Sequence, residues 1–239
     1  MEFRNEIRSV DDWFKVAPPK GKDKQWKAGY SAKELAKYIV EENHNRMPAE
    51  IREVIKSAEI EDDFYCWVPE YITGLPGRGG GRNHDLAIIS NSAFIGVEAK
   101  VNEPYGDKIG EWLGKGGGNG KNRENRLNAL YRIITGNDDV KKVSNYKELR
   151  YQLFSGLAGT IIEAKKQGKK KAVFLVIDFL IDCDEENEQN RKDFEEFCKA
   201  LKISNKSSKD NKTTFFKRIP NAEIEAYIAK ILVKKKGKN

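Results

Sequence analysis

The chain has little of what many enzyme chemistries need. Its 239 residues include two histidines, His44 and His84, which excludes zinc fingers, HExxH proteases and histidine-rich metal sites. Three cysteines, Cys66, Cys183 and Cys198, stand far apart with no CxxC pair, so neither a disulfide framework nor a thiolate zinc site is supported. No GxSxG elbow surrounds Ser155, which argues against a serine hydrolase. Apolar runs are short as well. The longest, from Ala172 to Ile181, contains Asp178 and falls below the ~18 residues of a membrane helix. The first residues, MEFRNEIRSVDDW, lack the apolar stretch of a cleaved secretion signal, so the expected location is cytoplasmic. Whatever chemistry occurs here uses carboxylates, lysines and a hard metal, or none.

What is present suits one folded domain over 1–239. At 38% hydrophobic and 10% aromatic residues the chain buries a core, and 34% charged residues give it a heavily charged surface. The net charge of +7 is unevenly placed. From Lys199 onward twelve Lys and Arg face only Asp210, Glu223 and Glu225, an excess of nine positive charges that leaves the remainder at −2. Such asymmetry fits a polyanion partner, and equally fits a solvated basic tail.

Ser31 with Glu34 has a capping-box spacing, followed by apolar residues at helical intervals through Val40. A short helix is expected from Pro48 to Ser57, and a strand from Phe64 to Ile72 whose Pro69 argues for an edge or an early end. Gly77–Asn83 reads as a loop, with His84 more a loop residue than a base. Two strands, Asp85–Ser90 and Ala93–Val101, flank Asn91-Ser92. Helices are expected from Glu111, over Arg123–Thr135, over Leu149–Lys166 (apolar on most of its surface) and around Phe194–Leu201. Lys171–Ile181 is a continuous apolar strand of the kind buried on both faces. Ser204–Thr213 reads as a loop and Ala226–Val233 as a strand. The alternation describes an α/β domain with a mixed sheet of about four to six strands flanked by helices.

The chemistry lies in RNHDLAIISNSAFIGVEAKVNEPYG. Ile95, Val97, Ala99 and Val101 alternate with Gly96, Glu98 and Lys100, so one face is apolar and the other carries a carboxylate and an amine. A two-residue turn at Asn91-Ser92 sets a register that puts Asp85 opposite Glu98, with Cβ atoms roughly 5 Å apart. Like charges so placed are destabilising, and a divalent cation removes the conflict. A solvated sheet face on which Lys100 neutralises Glu98 is the plainer alternative. The other triplet of this kind, Glu163-Ala164-Lys165, ends a helix, lacks a hairpin and an opposing Asp, and is expected to meet solvent.

Asp85 followed by Glu98-Ala99-Lys100 across a short hairpin, with helices before and after, resembles the PD-(D/E)XK, or restriction-endonuclease-like, nuclease superfamily. The resemblance covers about 30–182 as a fold pattern, leaving a basic extension at 199–239. His84 stands where the nominal motif has Pro. The resemblance implies a four-stranded mixed sheet between helices, Mg²⁺ or Mn²⁺ as cofactor, and metal ligands at Asp85, Glu98 and the Ala99 carbonyl, with Lys100 as the catalytic amine. Gln152, whose alternative role is a buried amide satisfying backbone, matches the Gln that some branches carry on a later helix. Glu34 is the candidate for the Glu that many branches place on an earlier one. The expected activity is metal-dependent hydrolysis of nucleic acid, most simply by a DNA endonuclease, with a non-catalytic nucleic-acid-binding module as the alternative. A homodimer is expected by analogy with nucleases that cut both strands. Lys115, Lys121, Arg123 and Arg126, in and after a Gly-rich stretch without Walker spacing, are expected to contact the nucleic-acid backbone. Trp67, Trp112 and Tyr105 suit either base stacking or the core.

Overall fold

In the computed structural model, residues 2–62, 64–115, 120–137, 146–182, 186–203 and 214–235 are described. Cys183, part of the Gly-rich stretch (116–119) and the expected loop at 204–213 lie outside them. The elements are β1 (Glu2–Phe3), α1 (Val10–Val16), α2 (Ser31–Lys37, continued by a π-turn over Tyr38–Glu42), α3 (Ala49–Ser57), β2 (Cys66–Thr73), β3 (Arg82–Ile89), β4 (Ala93–Lys100), α4 (Ile109–Gly114), α5 (Gly120–Thr135), α6 (Tyr151–Lys166), β5 (Lys171–Ile181), α7 (Glu188–Ala200), β6 (Thr214–Arg218) and β7 (Glu225–Lys235). Among the described residues no helix is long and apolar enough to cross a membrane.

The strands form one seven-stranded mixed sheet in the order β1-β2-β3-β4-β5-β7-β6. β2, β3 and β4 are antiparallel neighbours, while β4–β5 and β5–β7 run parallel. Parallel strands need helical crossovers, and α6 and α7 lie in those connections and cover one face, while α2 and α3 cover the other. On one face Leu35, Ile39, Ile51 and Val54 pack on Leu86, Ile95, Val97 and Leu175. On the other Leu130, Leu157, Ile161 and Phe197 pack on Phe94, Phe174, Val176 and Ile228.

Two features differ from the sequence expectation. The sheet exceeds six strands because the short edge strands β1 and β6 join the five expected ones, and the basic C-terminal part is built into it. β7 pairs with β5 along its whole length, from Lys171↔Glu225 to Ile181↔Lys235, and β6 caps it as the edge. Two lysines of the basic region are consequently spent inside the protein. Lys230 is buried against Asp178 (3.0 Å) and Glu186, and Lys235 meets Glu42 (2.9 Å) and Glu34 (3.4 Å). Second, Glu163 of the Glu163-Ala164-Lys165 triplet is buried rather than solvated. It accepts hydrogen bonds from Tyr71 Oη (2.8 Å) and Gln167 Nε2 (2.9 Å), while Lys165 reaches the surface.

Candidate active site

The hairpin that carries the motif has the register set by its two-residue turn. Leu86↔Val97, Ala87↔Gly96, Ile88↔Ile95 and Ile89↔Phe94 are paired. Ser90 N–H donates to the Ala93 carbonyl at 3.0 Å, and Asp62 accepts from Ser92 N–H (3.0 Å) and Ser92 Oγ (2.5 Å), which fixes the tip. Beyond Leu86 no further pair forms. Asp85 Oδ2 accepts the N–H of Ala99 at 2.7 Å, so a side chain takes over where the ladder stops.

The same level of the sheet is kinked. Glu70 in β2 has φ 49°, a left-handed conformation unusual for a residue with a side chain. Alternation slips there, since Val68 and Tyr71, three positions apart, both face α6. In β3, Ala87 faces α6, yet so do His84 and Arg82. Glycine makes room for them. A Cβ on Gly96 would sit 2.7 Å from the His84 ring and 2.4 Å from Thr160 Oγ1, and one on Gly159 would sit 3.1 Å from Arg82 Cγ. His84 is therefore a fully buried strand residue, and not a loop residue. Burial and the nearby Arg82 charge hold its imidazole well below its ordinary pKa, and neither ring nitrogen has a hydrogen-bond partner.

The kink gathers charges on the α6 side of the sheet. Glu98, 1% exposed, has Lys100 Nζ at 2.5 Å from Oε1, while Arg82 Nη2 donates to Oε2. Burial opposes ionisation of Glu98, but Arg82 and Lys100 outweigh it and hold the carboxyl below its usual range. Lys100 is likewise penalised by burial and pulled back by Glu98 and Asp85, which keeps it an ammonium. Asp85 has the opposite fate. Burial first, then the Glu98 and Glu70 carboxylates, push it well above the ordinary carboxylate range despite Lys100. Burial, with help from Glu98, raises Glu70 to about 7, although it accepts a hydrogen bond from Asn83 Nδ2 and feels Arg82. Three carboxyl groups thus share two cations.

Asp85, Glu98 and Lys100 are brought together. Gln152, on the first turn of α6, joins Asp85, Arg82, Asn83, Ser155 and Trp112 in lining a cleft of about 510 Å³. Ala99 contributes its N–H to Asp85. Glu34 is not part of the site. Its helix belongs to the layer on the opposite face, and its carboxylate, buried and depressed, accepts from Gly29 N–H (3.0 Å) and pairs with Lys37 (2.8 Å) and Lys235. The expected capping box is absent too, because Tyr30 is the N-cap and Ser31 the first helical residue.

The basic residues are mostly occupied. Arg126 donates to the carbonyls of Pro76 (2.9 Å), Gly80 (2.8 Å) and Arg78 (2.9 Å), tying down the Gly-rich loop that roofs the cleft. Arg123 donates to the Trp112 carbonyl and lies 5.1 Å from the Trp112 ring, which stacks on Tyr151 at 3.9 Å. Lys115 pairs with Asp107 at 2.6 Å, and Lys121 is exposed. Of the aromatics, Trp67 and Tyr105 are core residues, while Trp112 lines the cleft.

Sequence reasoning missed Arg82 and Glu70. Strict alternation sends Arg82 to the other face, and only Pro69, which had marked β2 as irregular, hinted at the kink. The donor set suits a hard cation. Asp85 and Glu98 are oxygen donors, and a divalent ion would offset both the burial and the carboxylate repulsion that raise Asp85. Among the described residues no three His, Cys, Asp or Glu side chains converge to hold an ion by themselves, so one would take two carboxylates and complete its shell with carbonyl, water and substrate oxygens.

No curated protein and no solved structure matches the chain. A family model described as "Domain of unknown function (DUF6946)" matches residues 6–232, nearly the whole chain, and the protein belongs to that family.

Proposed function

We propose that the chain is a divalent-metal-dependent nuclease that hydrolyses phosphodiester bonds of nucleic acid, with DNA as substrate, on a restriction-endonuclease-like core. The observation that carries this reading is the meeting of Asp85 and Glu98 from adjacent strands, where burial and Glu98 push the Asp85 carboxyl up, with the Lys100 ammonium 2.5 Å from Glu98. The strands β2 to β5, three antiparallel and the fourth parallel, with α2 and α3 on one face and α6 on the other, agree with the core that the resemblance implies. The cytoplasm is its expected compartment.

In this reading Asp85 and Glu98, with the Ala99 carbonyl, hold Mg²⁺ or Mn²⁺. Such an ion supplies Lewis-acid polarisation of the phosphoryl group and activation of water. Lys100, kept protonated by its two carboxylate neighbours, offsets the charge that develops on the phosphoryl oxygens in the transition state. The Gln152 carboxamide faces the same cleft and orients water or substrate oxygen there.

One observation favours a second reading. Both oxygens of Glu98 are already taken, by Lys100 and Arg82, an arrangement complete without a metal and suited to a binding module that does not cut. Oligonucleotide hydrolysis with Mg²⁺, Mn²⁺ or EDTA separates the two. The nuclease reading expects EDTA-sensitive cleavage that disappears in Asp85→Asn and Lys100→Met. The binding module expects salt-dependent binding, indifferent to EDTA, and no cleavage.

A further inference from the structure

We propose that Arg82 is the phosphate-binding residue of this site, parked on Glu98 until a divalent cation takes that carboxylate. The inference rests on the nuclease reading and goes beyond the residues that the motif supplies. Arg82 lines the same cleft as Asp85 and Gln152. Its stem is fixed in the notch opened by Gly159, which orients the guanidinium without any contact to substrate. Nη2 donates to Glu98 Oε2, while the Nε–H is buried with no partner at all. An arginine fork with an unspent buried donor, opening on a cleft, is suited to bind two oxygens of one phosphate.

Of the other cations around the cleft, Lys20 is an exposed side chain at its rim, and the rest are held in place. The Arg126 guanidinium holds loop carbonyls, and Lys100 is drawn to both Glu98 and Asp85. With a divalent cation bound and Glu70, Asp85 and Glu98 all ionised, the site with Arg82 and Lys100 carries one positive charge in excess, and a phosphodiester anion cancels it. Cation and phosphate should therefore bind cooperatively, with Arg82 released from Glu98 to meet the phosphate.

Calorimetric titration with Mn²⁺ and inorganic phosphate as probes tests this without relying on hydrolysis. In the wild-type protein each probe should tighten the other by the same factor, within the usual range of about 5–150-fold. Glu98→Gln frees Arg82 permanently, so it should bind phosphate without Mn²⁺ at least about tenfold more tightly than wild type, the scale of a modest coupling. Arg82→Gln should lose phosphate binding yet keep Mn²⁺ at equal or higher affinity, because the competitor for Glu98 is gone. Phosphate affinity unchanged in Arg82→Gln would overturn the proposal, since a purely structural counter-ion leaves it intact. If Arg82→Gln fails to fold, the Glu98→Gln arm decides alone, and no gain in phosphate affinity there refutes the role. A protein that binds no Mn²⁺, but gains phosphate in Glu98→Gln, would keep the phosphate assignment of Arg82 while defeating the nuclease reading.

Discussion

Replacing Glu70 with Gln should stabilise the protein at pH 8 and change it little at pH 4. Glu70 sits at the kink of β2 with a left-handed backbone, and burial together with the Glu98 charge raises its carboxyl to about 7. The unfolded chain releases that proton near the ordinary 4.5. Between those two values the folded state holds a proton that the unfolded state has lost, so stability falls as pH rises from about 4.5 to about 7 and is level beyond. At about 1.4 kcal/mol per pH unit the full penalty is roughly 3 kcal/mol, and solvent at this half-buried group reduces it to about 1–3 kcal/mol. Gln removes the charge and still offers a carbonyl to Asn83 Nδ2, so the hydrogen bond survives. Urea unfolding at pH 4 and pH 8, with EDTA present so that no cation masks the effect, measures the difference. A wild type and a Glu70→Gln variant with the same pH slope, or a variant less stable at pH 8, would refute the reasoning.

Three further outcomes follow from the packing. Lys230→Met leaves Asp178 and Glu186 buried without their shared ammonium and should cost about 3–5 kcal/mol in denaturant unfolding. Gly96→Ala drives a methyl group to 2.4 Å from Thr160 Oγ1 and 2.7 Å from the His84 ring, so α6 must shift off β4, and Tm should fall by an amount equivalent to about 1–3 kcal/mol. Arg126→Ala strips the carbonyls of Pro76, Arg78 and Gly80 of their donors, and limited trypsin digestion should then cut after Arg78 much faster than in the wild type.

The hairpin was legible because two independent features agree on it. Alternating apolar residues identify the inward face, and a two-residue turn leaves only one register. The long apolar stretches behind α6 and β5 were equally plain, since burial on both sides leaves a continuous signature. What sequence pattern could not convey is the slip in alternation at Glu70 and Asp85. The left-handed Glu70 marks the break in β2, and at the neighbouring level of β3 Arg82 and His84 lie toward α6, where Arg82 meets Glu98. Glu34 and Glu163 were misjudged for a related reason. The sequence pattern reads Glu34 as a cap or site residue and Glu163 as a solvated helix end, but Lys235 from β7 reaches Glu34, and Tyr71 from β2 reaches Glu163. Such partners are distant in sequence. Likewise the sequence pattern reads β7 as a strand but leaves its place inside the sheet illegible, because Lys230 and Lys235 find buried carboxylates that composition cannot foresee.

The most direct test of the account is cleavage of a DNA substrate by wild type and Glu98→Gln, in Mn²⁺ and in EDTA, with the folding of both proteins verified by thermal unfolding. Metal-dependent cleavage in the wild type, and its loss in folded Glu98→Gln, is the predicted result. Cleavage that persists in EDTA or in Glu98→Gln, or none by the folded wild type in any divalent cation, would contradict the claim that Asp85, Glu98 and Lys100 form a hydrolytic centre.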